Sequence, residues 1–282
     1  MRALSAAPVL TDNSQVRHGP LLRSGPKLKG MRGSLEKYVH VEHVMGTAVT
    51  FDVRGARPTR QAIDDAAAWL HDVDAQFSTY RPDSAVCRLR RGELLRGAAS
   101  DDLRWILDRC DRLNTETGGF FDAYASGSFD PSALVKGWAV QRAADQLAAA
   151  GVDRFCINAG GDVAARGRPA PGRHWRVGIR HPLDAKALAA IVAADDAAVA
   201  TSGLYERGGH VIAPASGRAP EGVLSVTVVG PDLGIADAYA TAALAMGTDG
   251  PQWTLGLEGY EALTILEDET VWATPGFPVV TA

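Results

Sequence analysis

The sequence has few cysteines, no excess of positive charge and no long apolar run. Its 282 residues include 3 cysteines, and none of them forms a CxxC pair, which argues against a disulfide framework or a zinc knuckle. The 33 Asp and Glu residues outnumber the 29 Lys and Arg residues, for a net charge of -4. This balance disfavours binding to a nucleic-acid phosphate backbone. No apolar run approaches the roughly 20 residues of a membrane helix, so no transmembrane segment is expected.

The amino-terminal residues 1–34 lack the apolar periodicity of a folded element and are rich in Pro, Gly, Ser and Arg. A secretory signal needs an apolar stretch of about 7–15 residues, and Ser5 and Pro8 interrupt the apolar residues near the start. We therefore predict a flexible extension over 1–34 and a single folded domain over 35–282. Separate, reduced thiols are typical of a cytoplasmic protein.

Apolar periodicity along the chain predicts a mixture of helices and strands. Helices are expected near 59–76, 101–117, 132–150 and 236–246, with a polar loop over 78–91. Strands are expected as a pair near 38–53, then at 155–158, 174–180, 188–193, 197–201, 209–213 and 223–229, with a hairpin near 262–274. These elements do not alternate as a strict βαβ repeat, so the predicted fold class is mixed α+β rather than a doubly wound parallel sheet.

Several common active-site motifs are absent. No GxGxxG, GxxxxGK[ST], HExxH or GxSxG sequence occurs, so neither a Rossmann cofactor site, a P-loop, a zinc-protease helix nor a hydrolase nucleophile elbow is supported. The remaining candidates are short polar segments at the ends of predicted elements.

The segment DPSALVKG, residues 130–137, lies where a loop becomes a helix. Free backbone N–H groups and the positive end of the helix dipole suit a phosphate there, and Lys136 would add a full positive charge. The alternative is a simple helix cap, in which Asp130 or Ser132 accepts backbone N–H bonds and Pro131 starts the first turn.

The segment NAGGD, residues 158–162, directly follows a short apolar strand. Its paired glycines would allow a ligand to approach the backbone closely. The same pair is also typical of a hairpin turn, and spacing alone favours that interpretation.

Asp237 and Thr241 are four residues apart in a predicted helix and therefore share one face. A carboxylate and a hydroxyl on one face can hold Mg²⁺, which takes few protein ligands and keeps oxygens from water and phosphate. In the alternative interpretation, Asp237 only complements the helix dipole.

His210 begins the apolar segment HVIAP, which follows TSG at 201–203. An imidazole at this point can act as an acid, a base or a positioning group, or it can be a structural side chain. Together these segments describe a Mg²⁺-assisted site for a phosphorylated ligand.

The same segments resemble a known family. In chain order they are MGT (45–47), FSTYRPDS (77–84), GGFFD (118–122), DPSALVKGWAV (130–140), NAGGD (158–162), TSG (201–203), HVIAP (210–214) and ADAYAT (236–241). This order resembles the ApbE family of FAD:protein FMN transferases over about residues 40–275. The resemblance implies a two-lobed α+β protein with FAD in the cleft between the lobes.

The resemblance also implies a set of site residues. The contacts of the flavin dinucleotide would be Met45, Tyr80, Phe120, Phe121, Asp122, Asp130, Lys136 and Ile212. Mg²⁺ would be held by the side chains of Asp237 and Thr241 and by the backbone carbonyl of Ala133. His210 would deprotonate or orient the target hydroxyl, and Lys136 would neutralise charge on the phosphates. The family usually has an acidic residue where this chain has Ala213.

The activity that the resemblance implies is a Mg²⁺-dependent transfer of FMN from FAD to a Thr or Ser hydroxyl of an acceptor protein, with release of AMP. Two alternatives stay open. Attack by water on the same site would make the protein an FAD pyrophosphatase, and a site without turnover would make it an FAD-binding protein.

Overall fold

The structure is a computed structural model that describes residues 36–55, 60–204, 211–214 and 217–280. Its helices are α1 (Arg60–Phe77), α2 (Ala85–Arg90), α3 (Asp101–Glu116), α4 (Ser132–Ala149), α5 (Leu233–Ala245) and α6 (Gly250–Thr254). Its strands are β1 (Glu36–Val44), β2 (Thr47–Gly55), β3 (Phe155–Ala159), β4 (Asp162–Arg166), β5 (Arg176–Arg180), β6 (Leu188–Ala193), β7 (Ala197–Gly203), β8 (Val223–Gly230), β9 (Glu261–Leu266) and β10 (Val271–Ala273). The predicted extension over 1–34 lies outside the described residues.

Eight of these strands form one sheet in the order β1-β2-β3-β4-β7-β8-β9-β10. Each neighbouring pair in it is antiparallel, and β5 and β6 form a separate antiparallel pair. Helices combined with an antiparallel sheet confirm the predicted mixed α+β class.

Two apolar clusters lie on opposite faces of the large sheet. On β4 and β7, Ala164 and Ala198 belong to the larger cluster, whereas Val163 and Val199 belong to the smaller one. Successive strand residues point to opposite faces, so both faces of these strands are buried. The larger cluster packs against the helices, and the smaller one contains residues of β5 and β6, such as Ile179.

Helix α2 corrects one prediction. Residues 78–91 were expected to form a polar loop, but Ser84 caps a helix by accepting a hydrogen bond from the Cys87 N–H at 3.0 Å. Val86 is fully buried beneath this helix. A helix of 6 residues is too short to produce a readable apolar period.

The segment 209–213 corrects another prediction. Of its described residues, 211–213, only Ala213 makes a strand-like contact, an isolated bridge to Arg218. The sequence also gave no indication of β4 or α6, each of which has 5 residues. Within the described ranges, no helix has the length and apolarity to cross a bilayer.

The crossing of α4 and α5 determines where the polar residues meet. A Cβ atom on Gly137 would lie 2.5 Å from the Leu233 carbonyl oxygen, and one on Gly234 would lie 3.1 Å from the Trp138 nitrogen. The two helix backbones therefore touch at glycines. This close approach brings Lys136 of α4 next to Asp237 of α5.

Candidate active site

Two hairpin turns lie side by side at one end of the sheet. Met45 and Gly46 connect β1 to β2 with φ angles of 53° and 71°, and Gly160 and Gly161 connect β3 to β4 with φ angles of 61° and 105°. A Cβ on Gly160 would lie 2.7 Å from the Thr47 Oγ1 atom, so glycine is needed for the turns to pack together. The hairpin-turn interpretation of NAGGD is therefore confirmed.

Lys136 forms ion pairs with two buried carboxylates. Its Nζ atom lies 2.5 Å from Asp162 Oδ2 and 4.0 Å from Asp237 Oδ2, while the two carboxylate side chains are only 2% and 5% exposed. Buried charges persist in proteins when they are paired. This cluster joins α4, β4 and α5 at one point.

A backbone N–H and a hydroxyl group of β7 extend the cluster. Asp162 Oδ1 accepts a hydrogen bond from the Thr201 N–H at 3.2 Å. The neighbouring Ser202 Oγ lies 3.1 Å from Thr241 Oγ1, within hydrogen-bond distance. The structure thus brings Asp237 and Thr241, the predicted pair on one helix face, together with Asp162 and with the TSG segment.

The donor set fits a magnesium ion. Buried carboxylate and hydroxyl oxygens are the ligands of a hard cation, and the Lys136 ammonium already stands within 4.0 Å of both carboxylates. In the part of the chain that the structure describes, no group of three or more His, Cys, Asp and Glu side chains could hold a metal. A site here would therefore combine few protein ligands with water or phosphate oxygens, as Mg²⁺ prefers.

A cavity of about 200 Å³ opens beside this cluster. Its lining combines the Met45 turn, the end of α1, the loop after it and the first turns of α4. The lining residues are Met45, Gly46, Val73, Asp74, Phe77, Ser78, Thr79, Tyr80, Ser132, Val135 and Lys136. Three residues that the resemblance implied as ligand contacts, Met45, Tyr80 and Lys136, therefore share one cavity. Tyr80 as a whole is 92% exposed.

The other implied ligand contacts lie outside that lining. Phe121 is buried in the larger apolar cluster, Phe120 packs against that cluster, and Asp122 accepts a hydrogen bond from the Tyr124 N–H at 2.8 Å. Asp130 Oδ1 accepts a hydrogen bond from the Ser132 N–H at 3.0 Å. The capping alternative for the start of α4 is therefore present in part: Asp130 accepts a backbone N–H bond, but Pro131 lies at the N-cap position, before the first turn of the helix.

The HVIAP segment, residues 210–214, contains the implied contact Ile212 and is described only from residue 211 onward. Ile212 is half-buried, and the Ala213 N–H donates to the Arg218 carbonyl at 2.7 Å. His210 lies outside the described residues. Ala133, whose carbonyl was implied as a metal ligand, is in the first turn of α4 and packs against the larger apolar cluster.

Two residues of this region were not predicted as site residues. Asp162 ends the NAGGD segment, but its spacing from Lys136 and Asp237 gives no indication that the three meet. Arg90 lies in the segment interpreted as a loop, and its Nε atom donates to the Phe129 carbonyl at 2.6 Å. Only the tertiary fold reveals either relationship.

The three cysteines of the chain are free thiols, as expected. Burial raises the pKa of the Cys110 and Cys156 thiols to about 12. A thiol with so high a pKa is a poor nucleophile, so neither group is a candidate for covalent catalysis.

The structure defines a class: an α+β protein with a buried acid–lysine cluster at a helix crossing, next to a cavity. A family model described as the ApbE family matches residues 45–127 and 125–264. The chain belongs to this family, which confirms the resemblance found in the sequence.

Curated relatives carry the name FAD:protein FMN transferase. The one from Salmonella typhimurium is 32% identical over 161 residues, which are 52% of this chain and 46% of the relative. The one from Rhodobacter capsulatus is 36% identical over 155 residues, which are 52% of this chain and 29% of the relative. The chain thus matches about half, or less, of the length of these relatives.

Solved structures share the fold. The flavin transferase ApbE from Vibrio cholerae has a TM-score of 0.75 and 24% identity, and the alignment covers 85% of this chain and 97% of that one. The ApbE protein from Thermotoga maritima also has a TM-score of 0.75, with 21% identity and coverage of 85% and 97%. At these identities the likeness establishes the fold.

Proposed function

We propose that the protein is an FAD:protein FMN transferase that uses Mg²⁺. The observation that carries the proposal is the Lys136 ammonium between the buried carboxylates of Asp162 and Asp237, on the wall of a cavity that also contains Met45 and Tyr80. A cation beside an oxygen-rich cluster suits the diphosphate of a dinucleotide. The names of the curated relatives give the same activity.

The proposed reaction breaks the phosphoanhydride bond of the FAD diphosphate and forms a phosphoester bond to the acceptor protein. The hydroxyl oxygen of a Thr or Ser on the acceptor protein attacks the phosphorus on the FMN side of the FAD diphosphate. The bond between this phosphorus and the bridging oxygen breaks, and AMP leaves with that oxygen. The hydroxyl proton passes to a base, for which we propose His210. The acceptor thereby carries FMN through a phosphoester.

Lys136 supports this step electrostatically. Its side chain is 19% exposed, so it can meet a phosphate oxygen while Asp162 holds the ammonium in position. Phosphoryl transfer depends mainly on positioning and on stabilising the charge of the phosphate oxygens. Lys136 offsets the repulsion that an attacking hydroxyl meets at an anionic diphosphate.

For the metal, we propose Asp237, Thr241 and the carbonyl of Ala133 as the protein ligands. When bound there, Mg²⁺ supplies Lewis-acid neutralisation of the diphosphate. Met45 and Tyr80 would contact the dinucleotide in the cavity, and Phe120, Phe121, Asp122, Asp130 and Ile212 stay predicted contacts. The cytoplasmic location and the division into an extension and one domain also stay predictions.

Incubation of the full chain with FAD, Mg²⁺ and a candidate acceptor protein tests the proposal. Flavin fluorescence that stays with the acceptor after denaturation, together with one AMP per labelled acceptor, is the expected result. Release of free FMN and AMP without a labelled acceptor would instead identify a pyrophosphatase. Binding of FAD without any cleavage would identify a binding protein and contradict the proposed chemistry.

A further inference from the structure

Arg90 joins three parts of the cavity region. From the last turn of α2 its Nε atom donates to the Phe129 carbonyl at 2.6 Å, and its Nη1 atom donates to the Thr79 carbonyl at 3.5 Å. Its Nη2 atom lies 3.6 Å from Asp130 Oδ2, and its side chain is 22% exposed. Two backbone carbonyls therefore hold the guanidinium in one orientation, facing the carboxylate of Asp130.

Asp130 presents an electrostatic problem for an anionic ligand. Its carboxylate lies at the start of α4, where it accepts the Ser132 N–H, and its side chain is 40% exposed. Ser132 also lines the cavity beside Lys136. A diphosphate bound beside Lys136 and Ser132 would lie close to the start of α4, where Asp130 also carries a negative charge, and like charges repel each other.

We propose that Arg90 is a positioning residue for FAD: it neutralises Asp130 so that the diphosphate can bind beside the start of α4. This inference rests on the proposed function, since it requires a dinucleotide diphosphate in the cavity. The guanidinium suits the role because its planar fork can bond carbonyls and a carboxylate together. The carbonyls of Thr79 and Phe129 keep it in position, and they also connect it to the wall that carries Tyr80.

The test separates the charge of Arg90 from its hydrogen bonds. R90Q keeps a side-chain donor and removes the charge, whereas R90K keeps the charge. FAD affinity, measured by quenching of flavin fluorescence, is expected to fall about tenfold in R90Q, corresponding to about 1.4 kcal/mol, and to stay within about threefold of the unmodified protein in R90K. In turnover assays the KM for FAD is expected to rise in R90Q with kcat within about twofold.

A double-mutant cycle with D130N identifies the partner. If Arg90 acts by neutralising Asp130, R90Q is expected to weaken FAD binding about tenfold in the original background and less than about twofold in the D130N background. R91Q is the matched control. Arg91 is the next residue after Arg90 in the chain, but it bonds the Pro82 carbonyl and the Glu93 carboxylate instead. We expect no more than a twofold change in FAD affinity there.

The possible failures are distinguishable. If the unmodified protein binds no FAD, the proposed function itself is wrong. If it binds FAD and R90Q binds equally well, or if R90Q loses as much affinity with D130N as without it, the inference about Arg90 is wrong. Thermal melting of each variant shows whether it is folded. If R90Q is not folded, R90K still tests the inference, because a loss of FAD affinity well beyond threefold in this charge-preserving variant would contradict it.

Discussion

The Lys136 ammonium and the Asp162 carboxylate form an ion pair of 2.5 Å between α4 and β4. Asp162 also accepts the Thr201 N–H, so one buried carboxylate fixes a lysine and a neighbouring strand. Removing the Asp162 charge would leave the Lys136 ammonium facing Asp237 at 4.0 Å, and the loss of one partner of a buried ion pair is destabilising. This relationship makes Asp162 important to both the stability of the protein and the position of Lys136.

Asp162→Asn is therefore expected to lower the free energy of unfolding by about 3 kcal/mol. The amide keeps an acceptor for the Thr201 N–H but loses the charge that faces Lys136. Urea unfolding measures the change in stability. For turnover, the comparison is Asp195→Asn, which alters an acidic residue in the turn between β6 and β7, where it contacts Arg168 and His174. An unchanged turnover in Asp162→Asn would mean that the ion pair does not position Lys136 for the reaction.

Asp237→Ala is expected to abolish turnover while FAD binding is only partly lost. The reason is that the substitution removes the proposed metal carboxylate but leaves the lining of the cavity unchanged. Equilibrium binding of FAD and rates over a range of Mg²⁺ concentrations measure the two effects. The exposed Asp249→Ala is the control, and full activity of Asp237→Ala at limiting Mg²⁺ would remove the metal assignment.

His210→Ala is expected to slow transfer more than it weakens FAD binding. A base for the hydroxyl proton typically contributes about 10²–10⁴-fold to a rate. Single-turnover rates with saturating FAD and acceptor test this directly. Kinetics equal to those of the unmodified protein would assign His210 a structural role instead.

Gly137→Ala is expected to destabilise the protein by about 1–3 kcal/mol, the usual cost of overpacking. The new Cβ would lie 2.5 Å from the Leu233 carbonyl oxygen at the crossing of α4 and α5. Gly97→Ala is the matched control, because its Cβ would have no neighbour within 4 Å. Equal urea midpoints for the two variants would contradict the close approach of the helices.

The carboxyl group of Glu42 gives a prediction for how the stability of the protein depends on pH. Hydrogen bonds from His71 and then from His40 lower the pKa of this carboxyl below its ordinary value. A lowered carboxyl pKa in the folded state stabilises the protein above the unfolded pKa, and the stabilisation is lost as the pH falls through the folded pKa. Glu42→Gln is therefore expected to be less stable than the parent near neutral pH, and the difference is expected to shrink as the pH falls below the ordinary carboxyl pKa and to disappear below the lowered folded-state pKa. A difference that grows on acidification would contradict this account.

The sequence predicted most of the long elements because their apolar periods are regular. Helix α1, for example, buries Ile63, Ala66, Leu70, Val73 and Phe77 along one face, and that spacing is visible without a structure. Strand β4 was missed because Val163, Ala164 and Ala165 are buried on both faces between the two clusters. Alternation therefore does not reveal the strand.

The candidate site was predicted only where its residues are close in sequence or lie within a family motif. Asp237 and Thr241 share a helix face, so their proximity follows from helical geometry. The meeting of Lys136, Asp162 and Asp237 depends instead on the crossing of α4 and α5 and on the pairing of β3 with β4. Such contacts between distant segments arise from tertiary packing, which no local pattern encodes. Arg90 was missed for the same reason.

The intact mass of an acceptor protein, after incubation with FAD and Mg²⁺ and either the unmodified chain or Asp237→Ala, tests the central claim most directly. We predict an added mass of one FMN per acceptor with the unmodified chain and none with the variant. An acceptor whose mass is unchanged would contradict the account. This would be so whether the unmodified chain leaves all FAD intact or cleaves it and releases FMN to solution.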